Sequence, residues 1–595
     1  MKTTYLAGAA AAALTLGVAG VSIPAIQSKN DGAAPFIDPL AIARSACGKT
    51  ADAALKRRLY FRKIGAAWAE TLGEEEKAAP QARMHPVAGI SYRVTANDKA
   101  QFYFDAALAH TWNFNHGEAV NEFKLAQHED ADCAMCYWGE AFAWGPNINA
   151  PMGEEAFAPA FAAAQKALAL KDKASEKERD LIDAIAARYA RTPPADRSAL
   201  DGAFADAMEK VAAKYPDDDF IQMLSAEANM DTQAWDYWLA DGRTPKGRTA
   251  KTMSLIEAVL ARNPDYQPAI HLYIHMTEAT DNPYRAAVYA DKLANLSPGL
   301  GHLIHMPAHT YARIGRFGDS IATNTAAVKA DEAFLANSDP SPLYQFGYYV
   351  HNIHFLMTSA QYAGDGKTSL EMAKKLDARL PAAMAVAVPF AQPIKVAPYF
   401  AMVQYSTPDE ILALDDPGTD VPFIQGIWHY ARGEAFAKKG DADKARGEAE
   451  AISHILATAD LSGLVDNAVP GPGILQVAQL TVTARAAAAE GDLESAIEAM
   501  EEAVAVQDML PYTEPAFWYY PSRQTLGAMV LRAGDAHRAE QLFMQALTEV
   551  PANGWAMAGL AEAYSAKGDK TAAKYAKALL KRSWIGGKRP ALDSL

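Results

Sequence analysis

Small residues recur along this chain in a fixed frame, and that recurrence limits the fold more than any other feature. Ala496, Met500 and Ala503, then Ala539, Phe543 and Ala546, then Ala445, Ala449 and Ile452 each follow the spacing i, i+4, i+7, which lines one face of an α-helix. A glycine stands five residues before each set (Gly491, Gly534, Gly440), and Gly568 stands five before Ala573. Aspartate follows each of these four glycines, which predicts a tight turn between two helices. Ala539 and Ala573 are 34 residues apart, as are Pro264 and Pro298. Lys, Glu and Gln fill the positions between, and β-branched alternation is missing, so helices are expected and strands are not.

One helical pair of this kind cannot bury its apolar face alone, whereas stacked pairs build a continuous core and a curved array. A 34-residue helix-turn-helix unit, with a small residue where the helices touch and proline at the repeat end, resembles the tetratricopeptide (TPR) repeat. The resemblance covers about 100–160, 250–381 and 426–580, and more weakly 180–230, where Phe204, Met208, Val211 and Pro216 keep the phase. The order HLYIH, HLIHMPAH, YVHNIH and EPAFWYYPSRQTLGAM is similar to that of a group of bacterial TPR-repeat proteins. It implies an all-α, TPR-like α-solenoid whose first helix in each pair lines a concave groove, and it implies no particular activity. Two irregular insertions are expected, an aromatic-rich loop at 229–249 and a stretch at 382–425 that carries six prolines. The predicted division is a signal peptide at 1–26, an N-terminal helical region at 47–265, histidine-bearing repeats at 266–381, the insertion at 382–425 and C-terminal repeats at 426–595.

The histidines carry the clearest chemical signal. Fourteen spread evenly over 595 residues would place about two in any 84, yet His271, His275, His302, His305, His309, His351 and His354 lie between 271 and 354. Ala286, Ser320 and Ser369 are the small landmark residues of three consecutive repeats. His271, His305 and His354 lie 15 residues before their landmarks, His275 and His309 lie 11 before, and His302 and His351 lie 18 before. Seven histidines thus share three positions of the repeat, spaced i, i+3 and i+7 on one helical face. Glu278, seven after His271, continues the stripe.

Neutral imidazoles on adjacent helices suit a divalent transition metal such as Zn, Fe or Cu, and a carboxylate among them permits a two-His-one-carboxylate set. The expected metal residues are therefore His271, His275, Glu278, His302, His305, His309, His351 and His354. Their number exceeds what one ion needs, so a dinuclear site, or one metal with further supporting histidines, fits the count. Equal phase leads to the expectation that His271, His305 and His354 stand side by side. Met276, Met306 and Met357 fall at three different phases and are read as core.

Lys2 precedes a run rich in Ala, Leu, Gly and Val from Tyr5 to about Ile26, with small residues at Val18 and Gly20, the pattern of a cleaved export signal. A periplasmic or secreted location is expected, with no membrane association after cleavage. Acidic residues number 71 against 56 basic, a balance that repels phosphate, so a nucleic-acid partner is not expected. Of three cysteines, Cys133 and Cys136 form a C-x-x-C followed by Tyr137, which excludes haem attachment. A local disulfide, two packed thiols and metal ligation all remain open for the pair. Glu514, Tyr519, Tyr520 and Arg523 are polar groups among aromatics near the other end of the array.

Two functions from different classes fit. In the first, the groove docks a protein, peptide or small-molecule ligand and the histidines hold a supporting metal. In the second, the chain is a metalloenzyme in which open coordination positions activate water or dioxygen. A deep pocket with an empty coordination position favours the enzyme, and an open groove with a closed metal shell favours the binding module.

Overall fold

The computed structural model describes residues 89–194, 196–338 and 340–595. The expected signal peptide and the first part of the region 47–265 lie outside the described residues. Helix follows helix from Asp98–Trp112 to Lys570–Ser583, and the described residues contain no strand, only an isolated antiparallel bridge between Trp238 and Pro245. None of these helices is long and apolar enough to cross a membrane.

The Gly-Asp signature does the work its chemistry predicts. Gly364, Gly440, Gly491, Gly534 and Gly568 all have φ between 75° and 96°, the left-handed conformation that ends a helix and that glycine adopts without a Cβ penalty. The aspartates that follow cap the next helix. Asp441, Asp492, Asp535 and Asp569 each accept a hydrogen bond from the backbone N–H three residues on, which satisfies one of the free donors at a helix start. Asp365 does the same for Thr368. The landmark residues Ala286, Ser320 and Ser369 are fully buried, as are Ala445, Ala496 and Ala539, because they stand where paired helices meet.

The buried residues form two clusters. One spans Ile90 to Tyr348 and the other Val328 to Leu595, so the histidine repeats sit at the seam between them. The insertion at 229–249 is a short turn structure in which the Leu239 N–H donates to Thr244 O at 2.9 Å and the Lys246 N–H to Tyr237 O at 2.8 Å. The stretch 382–425 holds more helix than its prolines predict, with Ala382–Ala387, Ala391–Tyr405 and Pro408–Leu412. Pro393 and Pro408 lie in first turns, where the missing N–H has no partner to lose. Pro398 lies inside its helix, with Val396, Ala397, Phe400 and Ala401 buried around it. Cys133 and Cys136 are joined in a disulfide, and Met276, Met306 and Met357 are fully buried.

Candidate metal centre

Four helical segments bring the histidines together. His271 and His275 lie four apart on Gln267–Thr277, His302 and His305 on Gly301–His305, His309 on Pro307–Arg313, and His351 and His354 on Tyr349–Ala363. Six of the seven rings turn their Nε2 atoms into two sets of three. In set A, His271 Nε2 is 3.1 Å from His275 Nε2 and 3.1 Å from His302 Nε2. In set B, His305 Nε2 is 2.9 Å from His309 Nε2 and 3.1 Å from His351 Nε2, and His309 and His351 are 3.5 Å apart. Nitrogens about 2.05 Å from a tetrahedral metal ion lie roughly 3.3 Å from one another, so both sets have the spacing of a three-nitrogen ligand cap. The sets adjoin, with the His275 and His309 rings 6.0 Å apart and the His302 and His305 rings 6.0 Å apart.

The two sets are copies of one arrangement. Each takes the positions 15 and 11 before the landmark from one repeat and the position 18 before the landmark from the next. The third repeat cannot make another copy, because Thr358 stands where His275 and His309 stand in theirs. His354 is accordingly outside both sets, with its Nε2 hydrogen-bonded to the Tyr519 hydroxyl. The expected alignment of His271, His305 and His354 is thus replaced by sets that pair neighbouring repeats.

Hydrogen bonds on the far side of the rings fix which nitrogen is free. His305 Nδ1 is 2.6 Å from Asn324 Oδ1, while the Asn324 amide nitrogen donates to Ser320 O at 2.9 Å. His275 Nδ1–H donates to Glu278 Oε1 at 3.0 Å, and His309 Nδ1–H to Glu514 Oε2 at 2.6 Å. Each of these rings therefore carries its proton on Nδ1 and, when neutral, a lone pair on Nε2. When both rings are neutral, the 2.9 Å contact between His305 and His309 sets two lone pairs face to face. That contact is favourable only with a cation, a proton or a metal ion, between them.

Glu278 is placed differently from its expected role as a ligand. It caps the C-terminus of Gln267–Thr277, and its oxygens reach Nδ1 of His275 at 3.0 Å and Nδ1 of His309 at 2.6 Å, one histidine from each set. Carboxylates behind metal-binding imidazoles orient the ring and raise its basicity. Glu278, His309 Nδ1 and Glu514 also lie close enough to form a third ligand group, in which the His309 Nδ1 proton goes to Glu514 and Glu278 Oε2 has no hydrogen-bond partner. Arg313 Nε donates to the Glu278 backbone carbonyl at 2.9 Å.

Burial holds His271, His275, His302, His305 and His351 well below the ordinary value of 6.5, which keeps the imidazoles neutral. Burial acts on His309 in the same direction, but Glu278 and Glu514 outweigh it and push that residue up to about 10. Burial, reinforced by Glu278, raises Glu514.

Two aromatic residues with left-handed backbones pack on set A. Phe114 has φ 54° and Trp235 φ 62°, conformations that cost a non-glycine residue of order 1–3 kcal/mol and cluster at functional sites. The Phe114 ring lies 4.5 Å from that of His271 and 5.2 Å from that of His302, and the Trp235 ring 5.3 Å from that of His275. A cavity of about 160 Å³ opens against both sets, lined by His275, His302, His309 and His351 and closed opposite by apolar residues of 380–394. The spacing from His302 to His351 is 49 residues instead of 34. The added length contains a π-helical turn, Tyr344–Tyr348, whose Phe346, Gly347 and Tyr348 line the cavity. Such turns recur at functional sites. Sequence patterning missed Phe114, Trp235 and Asn324. It raised Glu514 without assigning it to the histidines, and Arg523 proves to pair with Asp508 and Glu549 away from them.

Residues 530–579 match the tetratricopeptide repeat family. Solved structures that match include the APC/C hetero-tetramer Cut9–Hcn1 at 14% identity, covering 91% of this chain and 86% of that one with a TM-score of 0.28. A human IFIT1 dimer with PPP-AAAA has 12% identity, coverage of 80% and 94% and a TM-score of 0.30. The TPR domain of P58(IPK) has 12% identity, coverage of 79% and 99% and a TM-score of 0.22. No curated protein matches.

Proposed function

We propose that this tetratricopeptide-repeat protein is a metalloenzyme that holds a pair of transition-metal ions, one on His271, His275 and His302 and the other on His305, His309 and His351. The observation that carries the reading is the convergence of six buried Nε2 atoms into two sets of three at the spacing of metal ligands. Zn, Fe and Cu all accept three imidazoles. Three protein ligands leave at least one coordination position open, and the cavity beside both sets gives a small molecule access to it. A metal in such a position acts as a Lewis acid or activates bound water or dioxygen. Glu278 accepts from His275 and lies beside His309, and Glu514 accepts from His309 at the cavity wall. Export to an oxidising compartment is part of the reading, supported by the Cys133–Cys136 disulfide and the apolar N-terminal run.

The alternative, a groove that docks a protein or peptide around a structural metal, is favoured by the TPR match alone. Cobalt(II) loading separates the two. The enzyme reading predicts visible absorption that saturates at two equivalents and shifts when azide is added, because azide takes an open position. Saturation at two equivalents with no azide response would mean closed shells and the binding module.

A further inference from the structure

Beyond the histidine wall, the cavity itself has a size, a polarity and a direction. At about 160 Å³ it matches a cavity of about 150 Å³ lined by Leu, Ile and Phe, which takes up a benzene ring. Its far wall is apolar, with Met384, Val388, Phe390 and Ile394, and Phe346 adds a second ring. Phe390, Phe346 and Ile394 are only partly buried. Aromatic rings favour aromatic guests through edge-to-face and offset contacts.

The histidine side is polar in a particular way. Glu514 accepts from the Tyr512 hydroxyl on Oε1 and from His309 Nδ1–H on Oε2, and each oxygen keeps a second lone pair for a guest. Tyr348 is 6% exposed, and its oxygen receives the side-chain amides of Asn147 and Asn149, which leaves its O–H to donate. An acceptor and a hydroxyl whose proton is left to donate together fit a group that both donates and accepts, which describes a hydroxyl rather than a carboxylate or an ammonium. The Glu514 and Glu278 carboxylates also disfavour an anionic guest.

We infer that the cavity binds a single-ring phenol, with its ring between Phe346 and the 384–394 wall and its hydroxyl turned toward the histidines, Tyr348 and Glu514. As a substrate assignment this rests on the proposed metal pair, whereas the binding itself needs no metal.

The test is calorimetric titration of the full, chelator-treated chain with 4-methylphenol, alongside toluene and 4-methylbenzoate. The expected result is one site per chain for 4-methylphenol, with the other two at least tenfold weaker. Ile394→Trp at the opening and Val388→Phe in the wall should each weaken 4-methylphenol at least tenfold, and helical circular dichroism and metal uptake report whether each variant is folded. Absence of 4-methylphenol binding, equal binding of toluene, or binding that survives both folded variants would overturn the inference, and a metal ratio of two per chain after the same preparation is reloaded with metal would leave the metal reading standing. Binding of 4-methylphenol to a chain that takes up no metal would uphold the cavity assignment and remove the metalloenzyme reading.

Discussion

Replacing Glu278 by glutamine perturbs both histidine sets through a single side chain. The carboxylate contacts Nδ1 of His275 and of His309, and both nitrogens carry protons. A glutamine amide has one acceptor oxygen, and its –NH2 end faces the other N–H, so one of the two rings loses its orienting partner. Loss of a partner behind a metal-ligating histidine costs about 10–100-fold in metal affinity, or roughly 1.4–2.7 kcal/mol. The loss should be unequal. His309 keeps its 2.6 Å bond to Glu514, whereas Glu278 is the bond that fixes His275. Competition against a chelator of known affinity should show set A weakened by about 10–100-fold and set B by clearly less. Asn324→Ala should give the opposite pattern, because the ligand histidine that Asn324 holds is His305, in set B. Unchanged affinity at set A in Glu278→Gln, with the fold intact, would refute the account of how the carboxylate orients the site.

Two further predictions concern the scaffold. A Cβ at Gly559 would lie 2.2 Å from the Phe543 ring, which is fully buried, so Gly559→Ala should destabilise the chain by about 1–3 kcal/mol, read as a lower urea midpoint. His354 is held down to about 3 by burial, against about 6.5 unfolded. Its contribution to stability is present above pH 6.5 and is lost at about 1.4 kcal/mol per pH unit as the pH falls toward 3. The double variant His354→Phe, Tyr519→Phe leaves no stranded hydroxyl and should show a shallower fall of unfolding free energy over that range. An unchanged slope would place the acid sensitivity elsewhere.

How far the site was legible follows from how it is built. The helical pairs and their Gly-Asp turns were readable because periodicity and capping are local properties. The histidine positions were readable because two copies of one arrangement use the same three places in the repeat. The assignment of His354 was not, since it depends on Thr358 breaking the third copy and on Tyr519, 165 residues away, taking the ring. Glu278 shares the helical face of His271, but it lies at the helix end, where its carboxylate reaches behind the rings rather than between them. Phe114 and Trp235 reach the site through left-handed turns that leave no periodic trace. Glu514 comes from a segment 205 residues beyond His309, and no local pattern connects the two.

The central claim is two metal ions on two three-histidine sets. Its most direct test is the metal-to-protein ratio of the full chain, loaded in turn with zinc, iron and copper, freed of loose metal and measured by elemental analysis. The wild type should retain two ions per chain with at least one of these metals. The variants His271→Ala/His275→Ala and His305→Ala/His309→Ala should each retain one, and a variant carrying all four substitutions should retain none. No retained metal in the wild type, or a ratio unchanged by these substitutions in folded protein, would contradict the account.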